Sequence, residues 1–85
     1  MTFKSGQYEV DGAAVKIVPT GTTFRQVYIH TDGTLYLNAT SGVTTSNGYK
    51  LDVGEVLNFT IGQYDEMWAV SGSGTHTVYV LWSEF

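Results

Sequence analysis

Two histidines, eight carboxylates and one Gly-Ser-Gly triplet are the features of this 85-residue chain that invite a catalytic reading. A histidine can serve as a base or a metal ligand near neutral pH. His30 and His76 fall on different predicted strands, and neither has a carboxylate or a second histidine at a ligand spacing. At outward positions of strands both are expected to be surface residues, and no metal site is expected. The carboxylates are Glu9, Asp11, Asp32, Asp52, Glu55, Asp65, Glu66 and Glu84. Most stand in turn sequences, where a short acidic side chain accepts main-chain hydrogen bonds and holds the bend. A glycosidase needs two carboxylates about 5–10 Å apart across a cleft. The adjacent pair Asp65-Glu66 does not supply this, because neighbours in an extended strand point to opposite sides. Gly72-Ser73-Gly74 lies between two predicted strands, so it lacks the helix that a phosphate loop or a nucleophile elbow requires. It is expected to be a flexible hairpin. The expectation is a chain that is not an enzyme and holds no cofactor.

Composition says which elements carry these residues. Val, Ile, Thr, Tyr, Phe and Trp number 37, against 22 for Ala, Leu, Glu, Lys, Gln, Arg and Met. The first group suits a pleated, half-buried surface and the second suits helices. Ten glycines punctuate the chain. With no cysteine, neither a disulfide framework nor a thiolate metal site is available. A net charge of -4 with a single Arg leaves no basic footprint for nucleic acid. No apolar run approaches the roughly 18 residues of a membrane span, and Met1-Thr2-Phe3-Lys4-Ser5, which lacks the apolar h-region, is not expected to begin a signal peptide. Asn38-Ala39-Thr40 and Asn58-Phe59-Thr60 match the glycosylation pattern, but matches by chance are expected in a chain with 12 Thr. A domain this small, without staples, gains from efficient packing or from neighbouring subunits.

Period-2 alternation marks the strands. Val27 and Ile29 alternate with Gln26, Tyr28 and His30; Leu35 and Leu37 alternate with Tyr36 and Asn38. Asp32-Gly33 between them predicts a tight hairpin with positive φ angles. Residues 38–48 form a polar loop that closes on Asn47-Gly48, and Tyr49-Lys50-Leu51 is a brief extended piece. Leu57, Phe59 and Ile61 turn inward on the next strand, Met67–Val70 follows, and the last strand aligns Val78, Val80 and Trp82 on one face. Near the start, Tyr8–Val10 and Val15–Val18 flank Asp11-Gly12, with Pro19 ending the second. Residues 1–23 either complete the sheets or form an arm, and completion is preferred. Seven or eight short strands with turn chemistry between them predict an all-β fold, an antiparallel β-sandwich or small barrel without significant helix, spanning 1–85 as a single domain.

The aromatics carry more information than the titratable groups. Tyr28, Tyr36 and Tyr79 lie out of phase with the inward aliphatics. Exposed aromatics on a sheet stack on sugar rings or fill a protein interface. Of Trp68 and Trp82, at least one is expected in the core as a large central filler. Arg25, the only Arg, is a candidate anchor for a carboxylate, with an ordinary surface salt bridge as the blander reading.

From Arg25 onward the chain resembles a known pattern. The relevant stretches are Arg25–His30, Thr34-Leu35-Tyr36-Leu37, Val43-Thr44-Thr45-Ser46-Asn47-Gly48-Tyr49-Lys50-Leu51-Asp52-Val53-Gly54-Glu55, and Met67–Leu81. These resemble small β-sandwich virion proteins of tailed bacteriophages, of the capsid decoration (cement) or head-fibre and knob type. The resemblance implies a non-enzymatic virion protein on the capsid surface, with the major capsid protein and further copies of itself as partners. A homotrimer is the first expectation. Neither nucleic acid nor membrane is implied. The candidate interface is Tyr28, Tyr36, Tyr79, Trp82 and Arg25. The alternative is a fibre or adhesin domain that binds host glycans through Trp82, Tyr36 or Tyr79.

Overall fold

A computed structural model describes residues 2–21 and 23–84 of the chain. Eight strands follow in order: β1 (Thr2–Val10), β2 (Val15–Val18), β3 (Arg25–Thr31), β4 (Leu35–Asn38), β5 (Tyr49–Leu51), β6 (Val56–Ile61), β7 (Met67–Ser71) and β8 (His76–Glu84). They form two four-stranded antiparallel sheets. The first has the order β1-β8-β3-β6 and the second β2-β7-β4-β5. The fold is an all-β sandwich, as the composition implies. The N-terminal strands complete it: β1 is an edge of the first sheet and β2 an edge of the second.

The alternation reads out as burial. Val27 and Ile29 of β3, Leu35 and Leu37 of β4, and Val78 and Val80 of β8 face one another across the layers, each at most 3% exposed. Val10, Ile17, Val18, Leu51 and Ala69 fill the space between, and Trp82 closes it at 6% exposure. Apolar burial of this kind contributes roughly 25 cal/mol per Å2 and is the main stabilising effect in a domain with no staple. Trp82 is the central filler, whereas Trp68 is half-buried on the outside of the second sheet.

The connections differ from expectation. β3 and β4 are not a hairpin; they lie in different sheets, and Asp32-Gly33-Thr34 is an arch over the end of the sandwich. Gly33 does not adopt a positive φ; among the described residues this conformation belongs to Gly54, Gly74 and Tyr64. The arch is held by side chains instead. Thr31 Oγ1 donates to Gly33 O at 2.7 Å, and Asp32 Oδ1 accepts from Thr77 N at 2.8 Å. Residues 72–75 likewise carry the chain from one sheet to the other, so the Gly72-Ser73-Gly74 turn is an arch and not a hairpin. Among the described residues only β4 and β5 are consecutive strands paired with each other. Alternation cannot separate the two cases, because a hairpin and an arch both require one apolar face on each strand.

His76 also departs from its expected position. It pairs with Val10 and shares the phase of Val78, so it turns toward the end of the core and is half-buried. His30 does face outward.

Candidate functional site

The outward side of the first sheet is set by the cross-strand register. Tyr28 of β3 sits opposite Leu81 of β8 and Asn58 of β6; His30 sits opposite Tyr79 and Val56. Paired residues share a face, so these six side chains form one patch. The His30 and Tyr79 rings stack, with centroids 4.8 Å apart and planes 14° from parallel. Tyr28, Leu81 and Val56 are exposed at 39%, 42% and 69%. Between them and β1 lies a shallow recess of about 610 Å3, lined by Ser5, Gly6 and Gln7 of β1 and by Tyr28, His30 and Tyr79. Beside Tyr28, the Gln26 amide donates to Asn58 Oδ1 and accepts from Thr60 Oγ1 at 2.9 Å. That chain of bonds fixes the orientation of two amides on an exposed surface.

Charge is distributed unevenly around the molecule. The outward residues of β3, β8 and β6 include no Asp, Glu, Lys or Arg; Ser83, Leu81, Tyr79 and Thr77 line the central strand. The outside of the second sheet is different. There Lys16 Nζ lies 5.4 Å from the Trp68 ring and 3.3 Å from Glu66, whose carboxylate also accepts Trp68 Nε1 at 2.8 Å. The bond from Trp68, assisted by Lys16, holds the Glu66 carboxyl below the usual range against the opposing effect of desolvation. Tyr36 belongs to this second face, half-buried with its ring over Gly72 and its Cβ beside Gly48.

The tyrosines expected on one surface are therefore divided. Tyr28 and Tyr79 meet on the first sheet, and Tyr36 lies on the opposite side of the molecule. Trp82 is corrected from a surface contact to a core residue, because its even-numbered phase with Val78 and Val80 turns it between the sheets.

Arg25 is corrected as well. It is 1% exposed, and neither a partner-facing anchor nor a surface salt bridge describes it. Its guanidinium donates to the main-chain oxygens of Pro19, Gly62 (3.1 Å) and Asp65 (2.7 Å). Gly21 packs against the guanidinium, and Gly21 O accepts from Tyr64 N at 3.0 Å. The loop from β2 to β3 and the loop from β6 to β7 are thus clipped together by one buried cation. The sequence cue for this role was Arg25 in phase with Val27 and Ile29.

The polar loop between β4 and β5 is ordered by Asn47, which the composition alone does not reveal. Its Oδ1 accepts from Thr44 N at 2.7 Å and its Nδ2 donates to Gly42 O at 3.2 Å. Val43, inside that loop, is buried at 5%.

Elsewhere the titratable groups serve local structure. His76 Nε2 is 2.8 Å from the main-chain oxygen of Ser73, and its Nδ1 is 3.8 Å from Asp32. The ring ties the two arches at that end of the sandwich. Among the described residues no three His, Asp or Glu side chains converge as a metal site. No helix among them is long and apolar enough to cross a membrane.

No protein-family model, no curated protein and no solved structure matches this chain. Any assignment of function therefore starts from the uncharged aromatic face of the first sheet.

Proposed function

We propose that this chain is a structural protein of a bacteriophage virion, a decoration or cement protein that binds the outer capsid surface and stabilises the shell through non-covalent contacts. The observation that carries the reading is the outward face of the first sheet: Tyr28, His30, Tyr79, Leu81 and Val56 gathered where β3, β8 and β6 turn no charged residue outward. A large apolar and aromatic patch on a small domain marks an interaction surface. Tyrosines contribute contact area at low entropic cost and keep a hydroxyl for a hydrogen bond. Many copies with a modest interface each would clamp neighbouring capsomers by avidity. The resemblance of Val43–Glu55 and its flanks to small virion β-sandwich proteins supports the same reading.

The test is co-sedimentation with undecorated capsids of tailed bacteriophages. The wild-type chain saturates the capsids, and Tyr28→Ala with Leu81→Ala weakens binding at least about tenfold, roughly 1.4 kcal/mol. A chain that never binds, or a double variant that binds like wild type, refutes the proposal.

A second reading has its own support. The oriented amides of Gln26 and Asn58 beside the Tyr28 ring are suited to the hydroxyls and the apolar face of a neutral sugar. Under that reading the chain is a fibre or adhesin domain, and glycan binding is lost in Tyr28→Ala. Of the residues first expected to contact a glycan, Tyr79 is placed on this face.

A further inference from the structure

β6 is unlike the other three strands that end a sheet. β1 carries Lys4 and Glu9; β2 has a register shift between Lys16 and Val18 and is followed by Pro19; β5 is three residues long with Lys50 at its centre. Charges, irregular register, proline and short length all discourage a foreign strand from adding to an edge. β6 reads Val56-Leu57-Asn58-Phe59-Thr60-Ile61, with no charge, proline or glycine. Its register against β3 is unbroken from Val56 to Ile61. Among the described residues its backbone bonds run to β3, which leaves the far side of the strand open.

The interior behind β6 is open too. Inward residues of β3 and β8 are almost fully buried, whereas Leu57 and Phe59 at equivalent positions of β6 are only half-buried. An apolar cleft of about 330 Å3 opens between the sheets there, lined by Leu37, Ala39, Tyr49, Leu57, Phe59 and Met67. The sandwich closes on its β1–β2 side and gapes on its β5–β6 side.

We propose that β6 pairs antiparallel with β6 of a second copy, so that two four-stranded sheets become one sheet of eight. An uncharged edge offers nothing to an acidic or basic segment. It is complementary to an uncharged strand with alternating apolar residues, and β6 is itself such a strand. Within β6 itself no like charges meet, although each copy carries -4. Period 2 restricts the register: Leu57, Phe59 and Ile61 of both copies must share the inner side. A two-fold axis then places Asn58 opposite Asn58 or Phe59 opposite Phe59. Either register brings the two Phe59 rings to the open clefts and covers apolar surface that a single copy leaves wet. An isologous edge contact is exhausted by two copies, so the assembly is a dimer in place of the trimer first expected. The two outward aromatic faces would lie side by side on one surface.

Sedimentation equilibrium of the full chain tests this directly, with no capsid or glycan present, so its outcome is separable from that of the proposed function. The expected mass is twice 9.3 kDa, dissociating on dilution. Asn58→Lys sets two positive charges against the same strand of the partner and weakens dimerisation at least about tenfold. Ser5→Lys, the same charge change on the distant edge strand β1, leaves it unaltered. Hydrogen exchange on the wild-type chain gives a readout independent of any variant: β6 amides become more protected as concentration rises. A monomer at every concentration, a trimer, a dimer indifferent to Asn58→Lys, or β6 exchange independent of concentration overturns the proposal.

Discussion

Arg25 shows how much one side chain can determine. A guanidinium removed from water is costly unless its donors are used, and here three carbonyls from two loops accept from Nη1 and Nη2, while the buried Nε is left without a partner. Arg25→Met keeps the apolar stem but leaves those oxygens without the cation. We expect it to lower stability by about 2–4 kcal/mol, measured by chemical denaturation, with the β-rich circular dichroism spectrum retained. Glu66 supplies a second prediction, about pH. Its carboxyl is held below its ordinary range by Trp68 and then by Lys16. A depressed carboxyl stabilises the fold above its unfolded-state value and loses that contribution as pH falls through its folded-state value. The stability difference between wild type and Glu66→Gln is therefore present at neutral pH and disappears in acid. Equal differences at both ends of a pH series of denaturation curves would contradict this.

At the level of elements, the arches explain why strand positions were legible in the sequence while their connections were not. The alternation of Val27 and Ile29, of Leu35 and Leu37, and of Val78, Val80 and Trp82 encodes which side of each strand is dry. It does not encode whether the next strand pairs with the last or crosses to the other layer. Asp32-Gly33 suggests a tight hairpin because glycine permits positive φ, yet Gly33 is needed for a different reason. A Cβ at that position would overlap the His76 imidazole, which Ser73 O and Asp32 hold in place. Gly33→Ala is expected to cost about 1–3 kcal/mol through this overpacking. In a domain of this size that lowers the melting temperature by roughly 4–8 °C per kcal/mol, a change that scanning calorimetry resolves. Full stability in Gly33→Ala would show that the arch yields freely.

For the molecule as a whole, the two layers separate tasks that the linear sequence mixes. The second sheet carries the charged cluster of Lys16, Glu66 and Trp68 on its outside, and the first carries the uncharged face of Tyr28, His30, Tyr79 and Leu81. Periodicity was enough to turn every one of these tyrosines outward. It was not enough to sort them, because Tyr36 goes to the opposite side only through the crossing of the Asp32-Gly33-Thr34 arch. Arg25 was misplaced for a related reason: a charged residue in inward phase is a core residue when most of its donors find carbonyls, and only the folded loops show that they do. Trp82 is not the interface residue expected but the large central filler expected of at least one tryptophan. The central claim is that adhesion belongs to the first sheet. Hydrogen-exchange footprinting of the chain bound to capsids tests it most directly. Protection is expected to concentrate on β3 and β8 around Tyr28, His30, Tyr79 and Leu81, with the outside of β4 and β7 unchanged. Protection centred instead on Tyr36, Trp68 and the loop at 39–48 would contradict it.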